Sequence, residues 1–406
     1  MILIPIIIFM VMVFVKLQRG SFACLLVVVS TKSVVDAFWD FKFGSLSIMA
    51  IQGILITFLF YQVINKKNSL PKFWLRTANI YTIALSLGII WGFLEEPLAS
   101  FEIVMLNFNI YLGFLLLPVL INDKKKLKQF LFALMICGIF PIIVSIYQKQ
   151  TGVVFRERST AGLIRFVGFY HDAFPTRFYG LMSIISILIY NSVFRVKSLF
   201  IKIFFVFLVF GALLSIYNVF SKAAITIFVF WALILFTFSE SRGKKSLLIL
   251  IGFFIMLIIV GNTFYSNIEQ LFSKELGFNS GKVNDIRYTL AGRGYIWEKN
   301  WIFWTKEQSV FYQLFGDGIS RAVHNEFFRV LMANGIFGLI FLIIFIIRIT
   351  KAAFKINKRY IEFGLMFLSM YIVDCTGLAP GSYYYYNILV WGIFGLMLMK
   401  PQLFIK

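Results

Sequence analysis

Charge is scarce in this chain. Charged residues make up 14% of its 406 positions, while 60% are apolar and the mean hydropathy is +0.87. Soluble domains run at about 25% charged and roughly 45–50% apolar, so the composition excludes a water-soluble globule. Cysteine is rarer still. Cys24, Cys137 and Cys375 all lie within apolar runs, which excludes a disulfide framework and leaves them as small buried residues. Residues 1–15 carry no basic leading region and no A-x-A-like cleavage site, so they read as a retained membrane segment. The chain also lacks a repeat of roughly 20–50 residues and a low-complexity linker. One polytopic membrane domain, residues 1–406, is the simplest organisation.

Long apolar stretches are what the chain has in abundance. They fall at 2–15, 21–38, 45–64, 73–94, 100–122, 129–147, 177–194, 198–217, 222–238, 246–264, 326–347, 360–377 and 386–402. About 20 apolar residues in a helix cross a hydrocarbon core of ~30 Å. Lipid leaves no outside partner for backbone N–H and C=O groups, and continuous rather than alternating apolar patterns select helices over a barrel. The expected fold is an all-α integral membrane protein with 12–13 transmembrane helices, the second run being interrupted by Lys32 and Asp36.

Lysine and arginine outnumber the acids 39 to 18, a formal net charge of +21. They cluster in short connectors: Lys66, Lys67, Lys72 and Arg76; Lys124 to Lys126 and Lys128; Arg195, Lys197 and Lys202; Arg242, Lys244 and Lys245; Arg348, Lys351, Lys355, Lys358 and Arg359. This positive-inside pattern assigns 65–72, 123–128, 195–202, 239–245 and 348–359 to the cytoplasmic side. By alternation 95–99, 148–176, 218–222, 265–325 and 378–385 lie outside, and the C-terminus inside. Basic residues dispersed over separate connectors make no contiguous surface for nucleic acid.

Two outside segments differ from the rest. Residues 265–325 form the longest polar stretch, with seven basic and six acidic residues alongside Trp297, Trp301 and Trp304. Residues 148–176 set Lys149, Arg156, Arg158 and Arg165 against Glu157 and Asp172. Arginine here runs against the charge bias that governs the remainder, which marks both loops as functional. His324-Asn325 closes the longer loop, and positions 324, 328, 331, 335 and 338 share one face at helical spacing. Gly335 and Gly338 leave that face flat for a close neighbour. The N-terminus of such a helix favours anions; the plain alternative is that His324 caps or anchors it.

Other positions also carry two readings. Glu326 is a first-turn acid complementing the helix dipole or a base, and Arg287 is a loop salt bridge or an anion contact. Trp297, Trp301 and Trp304, at i, i+4 and i+7, form one face of a short interfacial helix first and a sugar-stacking wall second. The run Tyr383 to Tyr386 is an aromatic belt first and a glycan contact second. Asp374, an acid within an apolar run, is a candidate partner for an outer-face cation.

Four pieces recur in one order: Arg165-Phe166-Val167-Gly168-Phe169-Tyr170-His171-Asp172; Gly292-Arg293 with Trp297; the turn Leu314-Phe315-Gly316-Asp317-Gly318; and His324-Asn325, nine residues, Gly335, two residues, Gly338. That order resembles the O-antigen ligase and Wzy-type polymerase superfamily. The last piece is similar to its H-[NSQ]-x(9)-G-x-x-[GTY] motif, and the first to its R-x-x-G-x-x-H/N loop. Two positions depart. Ser221-Lys222 stands where relatives read Ser-Arg, which keeps the charge but loses the bidentate fork. His171-Asp172 replaces the usual Asn-Pro or His-Pro, and the first 140 residues match only in hydropathy.

The resemblance implies a GT-C-like glycosyltransferase of a bacterial inner (plasma) membrane, its site facing the periplasm or exterior. The donor is an oligosaccharide on polyprenyl pyrophosphate. The acceptor is a second lipid-linked repeat unit for a polymerase of O-antigen or capsule, or lipid A core for a ligase; a chain-length regulator is a further implied partner. The two departures favour the polymerase. His324 and Arg293 are the implied catalytic pair, with Arg165, Lys222, Arg287, Glu326 and Asn325 binding substrate. Arg165 and Lys222 are expected to complete the site from distant segments. Asp317 and Asp172 rival His324 and Glu326 as base. No cofactor is implied, and no Asp-x-Asp pair in an outer loop offers a Mg²⁺ site. From another class, a lipid-linked oligosaccharide flippase is the alternative, although such transporters are built from repeats.

Overall fold

A computed structural model describes residues 3–43, 46–64, 70–239, 258, 261, 263–319, 321, 323–356 and 360–405. Apart from two short antiparallel hairpins, Lys42–Phe43 with Leu46–Ser47 and Ser159–Thr160 with Leu163–Ile164, the regular structure among these residues is helical. Among the described residues, six helices are long and apolar enough to cross a membrane: Leu3–Asp36, Lys72–Glu95, Lys124–Thr151, Ala173–Val193, Leu199–Asn218 and Glu326–Phe354. Shorter apolar helices cover Ile48–Tyr61, Ile110–Leu120, Lys222–Phe238 and Asn387–Met399. The apolar run expected over 246–264 lies almost wholly outside the described residues, as do Lys66, Lys67, Arg242, Lys244, Lys245, Lys358 and Arg359. The helix Leu199–Asn218 leaves Leu199, Phe200, Ile203, Val206 and Phe207 exposed in a stripe at i, i+3 and i+4 spacing, a surface suited to lipid rather than water. The protein is a multi-pass, all-α membrane protein.

The chain divides into two compact units. The first comprises Met1–Gln62, Leu120–Ser273 and Gln402–Lys406, the second Val63–Val119 and Lys274–Pro401. The polar segment 265–325 is therefore shared between them, and much of it is helical: Thr263–Leu271, Ser273–Asn279, Thr289–Ile302 and Val310–Phe315.

In the first unit the helix Ala173–Val193 is almost wholly buried, packed by Lys124–Thr151 and Leu199–Asn218. Gly138 brings the first of these onto Ser183, where a β-carbon would collide with the hydroxyl. The apolar runs at 2–15 and 21–38 join into Leu3–Asp36, interrupted at Gly20 (φ +83°). Lys32 and Asp36, which weakened the second run, form a buried i,i+4 ion pair, and the Tyr179 hydroxyl donates to Asp36. Pairing of this kind is what makes charge tolerable in an apolar helix.

In the second unit the helix Glu326–Phe354 packs on Lys72–Leu85, Ile361–Gly377 and Val310–Phe315. It is not continuous. Gly335 adopts φ +67° and ψ −171°, so residues 326–334 and 336–354 are separate helical pieces, the latter about 28 Å long at ~1.5 Å per residue. This corrects the single helical stripe expected from 324 to 338. A break removes the amides that would serve the carbonyls one turn earlier, and another segment supplies them. The Asp317 and Gly318 amides donate to Met332 O (3.3 Å) and Ala333 O (2.9 Å). The Gly-x-Gly turn and the Gly-x-x-Gly helix are thus two halves of one contact.

The tryptophans keep a common face but differ in burial. The helix Thr289–Ile302 runs into a π-turn, Phe303–Glu307. Trp301 and Trp304 lie 5.2 Å apart between ring centres. Trp304 is buried in a core with Val323, Leu331 and Met332, while Trp301 stays half exposed.

Candidate functional site

Arg165 and Lys222, fifty-odd residues apart in sequence, belong to the first unit and are brought to one connector. The hairpin ahead of Arg165 turns through Ala161 (φ +47°) and Gly162 (φ +80°), the left-handed pair that a tight hairpin turn of matching twist requires. The Arg165 amide then donates to Arg158 O (2.8 Å), and its guanidinium Nη2 donates to Phe220 O (3.1 Å). Next along, the Phe166 amide donates to Asn218 O (3.1 Å). Lys222 is the first residue of the helix Lys222–Phe238, capped by Ser221, with its ammonium 5.2 Å from the Phe272 ring centre. His171 lies edge-on to Trp39 (4.6 Å between ring centres), and Asp172 caps the helix Ala173–Val193 by accepting the Phe174 amide (2.7 Å).

The remaining five residues belong to the second unit. His324 is exposed and left-handed, φ +49°. Asn325 caps the following helix, its Oδ1 accepting the Phe328 amide (3.1 Å), and Glu326 is its first residue. Glu326 is fully buried. Its Oε1 accepts Arg329 Nη2 (2.6 Å), and its Oε2 accepts both Arg329 Nε (3.0 Å) and the Gly381 amide (3.0 Å). Half-buried Arg293 lies over Gly377, where a β-carbon would stand 2.8 Å from Nη1. Gly377 and Gly381 bound one five-residue strap, their Cα atoms at most about 15 Å apart. Arg293 therefore lies against one end of this short strap, and the helix that starts beside His324 is bonded to the other.

Arg287 forms its own cluster. Its guanidinium meets Asp285 (2.7 Å) and Glu298 (2.6 Å), lies over the Tyr295 ring (4.8 Å), and Tyr295 donates to Asp285 (2.8 Å). Hydrogen bonds from the Arg287 side chain and amide hold the Asp285 carboxyl well below the usual carboxylate range, and the same bonds hold Arg287 firmly protonated. Asp317, a candidate base, is buried and paired with Arg321 (2.6 Å), accepting also from Gln308 Nε2 (2.6 Å) and the Ile319 amide (3.0 Å). Burial pushes its carboxyl up; the Arg321 charge and these hydrogen bonds pull the other way.

Three non-glycine residues are left-handed among the described residues: Ala161, Phe220 and His324. The first belongs to the turn before Arg165. The other two each immediately precede a capping residue, Ser221 or Asn325, and then a charged first helical residue. Such backbone costs about 1–2 kcal/mol per residue and gathers where function over-determines the geometry. Sequence reasoning missed Arg329, Arg321 and the strap. The i,i+3 spacing of Glu326 and Arg329 was a visible signal; the strap's role was not. No group of three or more metal-ligating side chains occurs among the described residues. No protein-family model matches this chain, and none of the curated proteins is significantly similar to it.

Proposed function

We propose that the protein is a membrane glycosyltransferase that joins polyprenyl-pyrophosphate-linked oligosaccharide repeat units into a surface polysaccharide. The observation that carries this reading is the convergence of Arg293 and the His324 turn on the strap Gly377–Gly381. In the transfer, the acceptor hydroxyl oxygen bonds to the sugar's anomeric carbon as the bond from that carbon to the phosphate oxygen breaks. The hydroxyl proton passes to the exposed imidazole of His324, acting as general base. Negative charge develops on the departing pyrophosphate, and the fixed Arg293 guanidinium stabilises it. Arg165 and Lys222 are cations of the same chemical type in the first unit. The order of motifs resembling the O-antigen ligase and polymerase superfamily supports the reading. So does the dispersed positive charge, which favours an outward orientation for 148–176 and 265–325.

A flippase is the second reading, because interrupted helices at Gly20 and Gly335 are a transporter feature. At Gly335, however, the freed carbonyls are occupied by the chain's own Asp317 and Gly318 amides rather than left for an ion. Purified protein given a lipid-linked repeat unit separates the two. Glycan ladders support the transferase; movement of the intact lipid-linked sugar across proteoliposomes without bond formation supports the flippase. Replacing the repeat-unit acceptor with lipid A core distinguishes polymerase from ligase.

A further inference from the structure

We propose that Glu326 and Arg329 are positioning residues: their ion pair fixes the strap Gly377–Gly381, and through it the Arg293 guanidinium, relative to the turn that presents His324. The inference rests on the transferase reading for its consequence in turnover, but not for its geometry. Both side chains are buried, at 0% and 1% exposure. A buried ion pair is a poor device for stability alone, since apolar side chains of similar volume often do as well or better. Here the pair is also incompletely satisfied, because Arg329 Nη1 is buried with no hydrogen-bond partner.

The carboxylate has a second task. Glu326 Oε2 accepts the Gly381 amide, and the Gly381 carbonyl accepts Asn387 Nδ2 (3.0 Å) from the other side, so the strap residue is held through both of its backbone polar groups. Only glycine fits there. A β-carbon at Gly381 would stand 2.5 Å from Arg329 Nη2 and collide with Glu326 Oε1. Four residues earlier the same strap passes beneath Arg293 at Gly377 with comparable closeness. In this proposal a shift of the strap at Gly381 changes the floor beneath the guanidinium at Gly377, and a misplacement of ~1 Å at a reacting centre is enough to cost about 10²-fold.

Three variants of the full chain in detergent test this: Glu326→Leu with Arg329→Met, Gly381→Ala, and Glu326→Gln. The readouts are thermal unfolding, hydrogen–deuterium exchange of the peptide containing 377–381, and kcat and KM with a lipid-linked oligosaccharide. The double variant removes both charges together, leaving neither buried alone, and is expected to fold. Its strap amides should exchange at least about tenfold faster, as loss of a hydrogen bond to a charged group implies. Its kcat should fall by a similar factor or more while KM changes little. Glu326→Gln keeps an acceptor for the Gly381 amide and should retain more of both. If the double variant does not fold, Gly381→Ala carries the test, with faster strap exchange and lower kcat expected. Wild-type exchange in the folded variants overturns the proposal. An inactive wild-type protein would instead sink the transferase reading, and the exchange data would still decide the role of the pair.

Discussion

Gly335 and Gly316 meet with no room for a methyl group: a β-carbon on Gly335 would stand 2.5 Å from the Gly316 amide nitrogen. The contact lets the turn 316–318 reach the carbonyls that the helix break exposes. Trp91 and Ser100 hold the turn from behind, donating to Gly316 O (2.6 Å) and Gly318 O (2.9 Å). In an unbroken helix, Gly335→Ala would stabilise by about 0.5–1 kcal/mol. Here it should destabilise by roughly 2–4 kcal/mol, from left-handed strain and overpacking together. Thermal unfolding in detergent reads the sign directly.

Arg165 ties the first outer-type loop to the connector before Lys222. Arg165→Ala removes a charged donor from the Phe220 carbonyl and should cost about 1.5–3 kcal/mol of stability. Arg165→Lys should recover only part, since one ammonium does not reproduce the fork. Equal melting temperatures for Arg165→Ala and wild type would contradict the assignment.

Asp285 should give the fold an acid-side dependence. Its carboxyl is held below the 3.8 of an unperturbed aspartate, so the folded state favours the ionised form. The contribution is present above that value and is lost as pH falls through it toward the lower folded-state value. Wild type and Asp285→Asn should therefore differ most near neutral pH and converge as pH drops below about 4. A gap in melting temperature that stays constant with pH would refute this.

The tryptophans should separate by role. Trp304→Ala opens a cavity in the core formed with Val323, Leu331 and Met332, at a cost of about 3–5 kcal/mol. Half-exposed Trp301 should cost far less. Comparable losses at the two positions would contradict this difference in burial.

Long apolar runs and clustered lysines made the membrane class legible, because periodicity and charge act locally along the chain. The helix start near His324 was readable for the same reason, although the residue that caps it is Asn325 rather than His324. The break at Gly335 was not. Glycine at helical spacing reads equally as a flat packing face, and only the distant turn at 316–318 decides between face and break. Nor did spacing show that Trp304 is buried while Trp301 is half exposed, since that depends on Val323, Leu331 and Met332 from beyond the helix. Glu326 read as a dipole-complementing acid. Its contact with Gly381 joins segments 55 residues apart, beyond any local signal.

In the proposed reaction Arg293 and His324 act on a lipid-linked pyrophosphate. The most direct measurement compares glycan ladder formation by purified wild type, Arg293→Ala and His324→Ala, each first shown to unfold at a similar temperature. The account predicts ladders from wild type, a loss of roughly 10²-fold or more without the guanidinium, and about 10²–10⁴-fold without the imidazole. Ladders formed at the wild-type rate by both variants would contradict it.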